Sequence, residues 1–129
     1  MTETDIIQKF GIVVQEFDGD LLPDELGFYD PVTKVAFVSD KLTKTERIKV
    51  LLHELGHKDH STADYRNARI RCENEADRNM IHHLVQDAVA HLDNAYDFNY
   101  LKFMEFYNLT NTTYEIMVRE EYLRLLENH

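Results

Sequence analysis

The most restrictive stretch of this chain is "TKTERIKVLLHELGH", Thr43 to His57. Thr43 with Glu46 three residues later matches a capping box, which predicts a helix opening at Lys44 and running to about His57. Ile48, Leu51, Leu52 and Leu55 follow at i, i+3, i+4 and i+7, so one side of that helix must meet an apolar core. His53 and His57 lie four residues apart at its end and project side by side. Whatever the rest of the chain builds has to cover the leucine stripe and leave a setting for two adjacent imidazoles and Glu54.

The flanking sequence supplies the cover. Ile6, Ile7 and Phe10 fall at helical spacing and Gly11 ends the pattern, predicting a short first helix over Asp5 to Phe10. "IVVQEF" is rich in β-branched residues, and "LGFYDPVTKVAFVSD" reads as two strands around a turn at Asp30 and Pro31. In the second of these, apolar residues occupy successive positions from Val35 to Val38, so burial on both faces is expected. A polar stretch, "KDHSTADYRN", follows the histidine helix. Further helical patterns run from about Ala68 to His91, Tyr100 to Tyr107 and Tyr114 to Leu126. Helix, sheet, then helices is an α+β order, with a short antiparallel or mixed sheet and four to five helices. At 129 residues, 43% of them hydrophobic, the chain is expected to fold as one domain, residues 1–129, comprising a core over about 1–99 and a helical tail over 100–129. The aromatic and leucine stripe of that tail is expected to be core.

H-E-x-x-H on a helix is a metal-binding pattern with a mechanical reason. Two imidazole nitrogens on one face can both reach a zinc ion at about 2.0–2.1 Å, while the intervening glutamate stands where it can take a proton from water. Gly56 leaves room for another backbone to approach. The bland alternative is a solvated helix end. A catalytic zinc needs a third protein ligand and an open position. "CENEAD" offers Glu73 and Glu75, which lie about 200° apart around a helix. Glu73 shares a face with Ile70, Ala76, Asp77, Met80 and Leu84, whereas Glu75 falls with Arg78, Asn79 and His82 on the side expected to face water. A carboxylate on an apolar face is costly unless paired or metal-bound, so Glu73 is the expected ligand. Asp77, one turn on, is placed to accept the free ring N–H of His53 or His57. The alternative is that Glu73 and Asp77 simply pair with Arg69, Arg71 or a lysine. Of the other histidines, His82, His83 and His91 are expected to be solvated or hydrogen-bonded, and His60 is the nearest to the motif.

These residues resemble a family. "HELGH" followed by a helix carrying E-x-x-A-D is the gluzincin pattern. The layout over about Phe10 to Gln86, with "KVAFVSDKL" ahead of the HELGH helix, is similar to the ImmA/IrrE family of small phage and bacterial zinc metallopeptidases. The resemblance implies a zincin-like fold, Zn2+ held by His53, His57 and Glu73, Glu54 as general base, and Asp77 as partner of a ligating imidazole. It also implies a phage or mobile-element setting and a helix-turn-helix transcriptional repressor as protein substrate. "FMEFYNLTNTTYEIMVREEYLRLL" is similar to the tails of phage-encoded members. There are departures: "NMIHHLV" stands where the family carries aromatic, alanine and double-leucine residues, a following proline is missing, and an N-terminal extension with a DNA-binding motif is not expected. The chain reads as a minimal peptidase domain.

A peptide substrate is expected to add as a strand at the edge of the hairpin near Val35 to Val38. Tyr65, Tyr107, Tyr114, His60 and His83 are all candidates for stabilising an oxyanion. The rival to an endopeptidase is an anti-repressor that sequesters the repressor without cutting it. The charge serves both, because 24 acidic against 14 basic residues, net -10, suits a basic DNA-binding protein and argues against direct nucleic-acid contact. A structural zinc site is disfavoured by the single thiol, Cys72. One cysteine, no leader pattern and no apolar run of roughly 20 residues predict a cytoplasmic protein without a membrane partner.

Overall fold

A computed structural model describes residues 1–128. The elements are α1 (Glu3–Phe10), β1 (Val13–Phe17), β2 (Gly27–Asp30), β3 (Val35–Ser39), α2 (Lys44–Leu55), α3 (Thr62–Asn67), α4 (Arg69–Ala90), a 3-10 turn (Ala95–Asp97), α5 (Tyr100–Phe106) and α6 (Thr112–Glu127). Six α-helices and a three-stranded sheet make an α+β domain compatible with a small zincin-like fold. The extra helix is α3. Ser61 caps it through the Asp64 amide while the Asp64 carboxylate accepts from the Ser61 N–H. Aspartate thus does the reciprocal work usually given to Glu or Gln, so the polar stretch carries no Ser-x-x-Glu signature of a helix start.

The sheet is mixed, in the order β1-β3-β2, with β3 parallel to β1 and antiparallel to β2. The turn between β2 and β3 is held by Asp30, whose carboxylate accepts from the Val32 amide and the Thr33 hydroxyl. Ala36 and Val38 are fully buried against the helices. The other face is only half-buried, because Phe37 stacks on Phe28 with ring centroids 4.7 Å apart and solvent lies beyond. Burial on both faces, expected from the apolar run, therefore gives way to one core face and one aromatic veneer. β3 is also the middle strand. Both its edges are paired, so it cannot accept a substrate strand, and the free edge beside the helices belongs to β2.

The core forms where α2 crosses α4. Leu51, Leu52 and Leu55 of α2 pack with Met80, Ile81, Leu84 and Val85 of α4, joined by Ile6 from α1 and Met117 and Val118 from α6. Each such side chain contributes roughly 1.5–3 kcal/mol on burial. Capping at Thr43 is reciprocal, with Thr43 Oγ1 accepting from the Glu46 amide at 3.2 Å and the Glu46 carboxylate accepting from the Thr43 N–H at 3.1 Å. The buried stripe of α4 runs through Cys72, Ala76, Met80 and Leu84. Ile70 is 79% exposed, about 200° around the helix from Cys72, and does not share the inner face assigned to it. The tail supplies core as well: Phe103, Tyr107, Leu109, Met117 and Val118 are buried. No described helix is long and apolar enough to cross a membrane.

Candidate metal centre

α2 ends its regular hydrogen bonding at Leu55, two residues short of the expected boundary, yet the following turn keeps His57 beneath His53. Their Nε2 atoms are 3.3 Å apart. Gly56 decides what comes next. A Cβ there would lie 2.6 Å from Ala76 Cα and 3.1 Å from the Ala76 carbonyl oxygen. Only glycine lets α4 cross this close, and the crossing brings Glu73, one turn before Ala76, onto both imidazoles. Asn79 fastens the same crossing by donating from Nδ2 to the Leu52 carbonyl at 2.8 Å.

Glu73 Oε2 lies 3.0 Å from His53 Nε2, and Glu73 Oε1 lies 3.2 Å from His57 Nε2. His53 Nδ1 donates to Asp77 Oδ1 at 2.8 Å, which leaves the His53 Nε2 lone pair bare in the neutral ring. The Nε2 atoms of two imidazoles and a carboxylate therefore converge on one place, an arrangement suited to a cation. A tetrahedral zinc with bonds of about 2.0–2.1 Å separates its donor atoms by about 3.3–3.4 Å, close to the spacings here. The donor set fits zinc. Among the described residues it contains three protein ligands, and its remaining side opens on a cleft of about 360 Å³ between β2, α2, α4 and the start of α6.

A peptidase family model described as the IrrE N-terminal-like domain matches residues 7–119. The chain belongs to that family. No curated protein and no solved structure matches it. The match extends beyond the Phe10 to Gln86 span of the resemblance and takes in most of the tail. Family and donor set together support a metallopeptidase-type function.

In this IrrE-like domain the electrostatics around the metal position are divided. Burial pushes Glu54 up to about 7, reinforced by the Glu73 and Glu25 carboxylates and opposed by His53. In the metal-free site this carboxyl is thus poised near neutrality, where it can both accept and return a proton. Burial works against a charged His53, but the Asp77 hydrogen bond and the charges of Asp77, Glu54 and Glu73 outweigh it and raise its pKa. Burial lowers His57. Glu73 is also penalised by burial, yet the Tyr65 hydroxyl, donating to Oε1 at 2.8 Å, and the two imidazoles keep it below the ordinary carboxylate range.

The five candidates for oxyanion stabilisation separate by position. Tyr107 borders a different hollow, of about 720 Å³, between α1, α2 and α5. His83 is held against Lys9 Nζ at 3.1 Å and the Phe10 ring, with its pKa pushed down to about 4 by burial and then by Lys9. Tyr65 is committed to Glu73. His60 Nδ1 faces His57 Nδ1 at 3.0 Å. Tyr114, from α6, is the phenol that lines the cleft with His53, Glu54 and Glu73. The face of α4 expected to look at water is partly covered. Arg78 and His82 reach the buried Glu121 of α6, and Glu75 accepts from His60 Nε2 at 2.6 Å. His91 stays at the surface beside Asp87. Sequence periodicity alone missed α6 as a wall of the site; the single clue was a tyrosine at its first turn.

Proposed function

We propose that the chain is a zinc-dependent endopeptidase that inactivates a helix-turn-helix transcriptional repressor of a phage or mobile element. The observation that carries this reading is the convergence of His53, His57 and Glu73 beside Glu54 at an open cleft, in a chain of a peptidase family. His53, His57 and Glu73 would hold a zinc ion, which when bound would supply Lewis acidity for a scissile carbonyl and for water. Every other part is played by the chain. Glu54 takes the water's proton and returns it to the leaving amine. The unpaired edge of β2, with Glu25, Leu26 and Gly27 bordering the cleft, receives the substrate backbone as an added strand. Tyr114 donates its phenolic O–H to the carbonyl oxygen as negative charge develops there. A net charge of -10 draws in a basic DNA-binding protein and keeps nucleic acid away.

The test is an in vitro digestion of a purified repressor of this class, encoded beside the gene, by zinc-loaded wild type and Glu54→Gln. Discrete fragments with wild type, and none with Glu54→Gln or after chelation, are expected. Relief of repression that survives Glu54→Gln would instead establish the sequestering anti-repressor.

A further inference from the structure

The two histidines of the motif are oriented by unlike means. His53 donates directly to Asp77. His57 has no carboxylate at its Nδ1; it meets the His60 ring, Nδ1 to Nδ1 at 3.0 Å, and His60 in turn meets Glu75 through Nε2 at 2.6 Å. Only one arrangement of protons satisfies this chain with neutral rings. A carboxylate can only accept, so His60 must carry its proton on Nε2; its Nδ1 is then an acceptor, and His57 must carry its proton on Nδ1. The His57 Nε2 lone pair is left free, facing Glu73 and His53. Reversing the chain would set two acceptors 2.6 Å apart between His60 and Glu75, or require a charged His60, and would put a proton on the very atom that faces the metal position.

We propose that Glu75 and His60 are positioning residues of the metal centre: Glu75 sets the tautomer of His60, and His60 sets that of His57, turning its Nε2 into a ligand. The local fold is built for it. His60 N–H donates to the His57 carbonyl at 2.9 Å, so one tight turn carries both rings, and the His60 side chain is only 12% exposed. Glu75 is more than half exposed and otherwise has only Arg71 at 3.8 Å, so without His60 it would be an ordinary surface acid. The residue set aside as water-facing is thus tied to the metal through two imidazoles. An imidazole oriented by an outer partner binds metal more tightly, and loss of such partners typically weakens affinity about 10–100-fold.

This inference rests on the metal-site reading, and the experiment separates the two. Zinc dissociation constants are measured by chelator competition for wild type, Glu75→Gln, Glu75→Ala, His60→Ala and Arg71→Ala. Imidazole tautomers are read by nitrogen NMR of the zinc-loaded wild type, and coordination by the visible absorption of the cobalt-substituted forms. The expected result is about a tenfold or greater loss for Glu75→Ala and His60→Ala, substantial rescue in Glu75→Gln, which keeps an acceptor, and wild-type affinity in Arg71→Ala. His57 should be protonated on Nδ1 and His60 on Nε2, and cobalt absorption should keep its intensity in His60→Ala. Affinities within twofold of wild type, a His60 proton on Nδ1, or a change of cobalt coordination in His60→Ala would each overturn the relay, the last by making His60 itself a ligand. Failure of wild type to bind zinc would overturn the metal site and the relay with it.

Discussion

Replacing Glu54 by Gln should stabilise the metal-free protein, by an amount that depends on pH. The folded protein holds this carboxyl at about 7 against an ordinary value of 4.5, chiefly through burial and secondarily through Glu73 and Glu25. A raised carboxyl pKa means that the fold favours the protonated form. Its stability contribution is fully present below about pH 4.5 and is lost as pH rises through about 7. A shift of this size corresponds to roughly 3 kcal/mol at about 1.4 kcal/mol per pKa unit, discounted to roughly 2–3 because the carboxyl retains some contact with water. Glutamine keeps the shape and never ionises. The assay is urea denaturation of chelator-treated wild type and Glu54→Gln from about pH 5 to about pH 8.5. The two curves should lie within about 1 kcal/mol at the acid end and separate to roughly 2–3 kcal/mol at the alkaline end, with Glu54→Gln the more stable. A gap of constant size across the range would show that burial and the Glu73 charge do not set the state of this carboxyl. A wild type that is the more stable at alkaline pH would reverse the sign and refute the argument outright.

Gly56→Ala should cost roughly 1–3 kcal/mol by overpacking, because its Cβ would meet Ala76 Cα at 2.6 Å; it should also weaken zinc binding, since the helix crossing sets the distance from Glu73 to the imidazoles. Denaturant midpoints and chelator competition read the two effects, and an unchanged midpoint would mean the crossing is softer than described. Tyr114→Phe should lower kcat by roughly 10²–10³ with little change in KM, as expected for loss of a donor to the developing oxyanion; equal kcat values would assign that donation elsewhere. His83→Phe should flatten the acid limb of the stability profile. The wild-type ring is held neutral, its pKa pushed to about 4 by burial and by Lys9, so wild type loses stability as pH falls from 6.5 toward 4 and the phenylalanine variant does not. Parallel profiles in thermal melts would exclude His83 as the source.

What sequence could show was whatever depends on spacing within one helix. The capping box at Thr43, the leucine stripe and the pairing of His53 with His57 all follow from a 3.6-residue period, and the choice of Glu73 over Glu75 follows from the cost of leaving a carboxylate on the inner side of α4 without a partner. Ile70 is exposed, and the stripe that buries the helix begins at Cys72. Glu73 sits at the margin of that stripe, half-buried, where a side chain can reach both α2 and the cleft. The β3 strand shows the opposite failure. Its apolar run is real, but Phe37 is covered by Phe28 from the adjacent strand rather than by a second layer, and strand order cannot be read from one strand's composition.

The parts hidden from the sequence are contacts between segments that do not share a period. Tyr114 is 61 residues from His53 (114 minus 53) and reaches the cleft because α6 lies along α4, locked there by Glu121. That carboxylate is almost fully buried and collects His82 at 3.0 Å, Arg124 at 3.2 Å and Arg78 at 3.6 Å. A carboxylate among apolar neighbours is tolerated only when its charge is answered in this way, and breaking such a cluster is costly because the remaining buried charge has no compensation. "NMIHHLV" thus acquires a physical meaning. His82 answers Glu121 and His83 fills the space under α1 as a neutral ring, so the two histidines found where apolar residues were expected mark the two surfaces on which α4 is clamped. The clamp on the α6 side holds Tyr114 at the cleft it lines with His53, Glu54 and Glu73. A substitution at His82 or Glu121 should therefore reach the chemistry through the placement of that phenol.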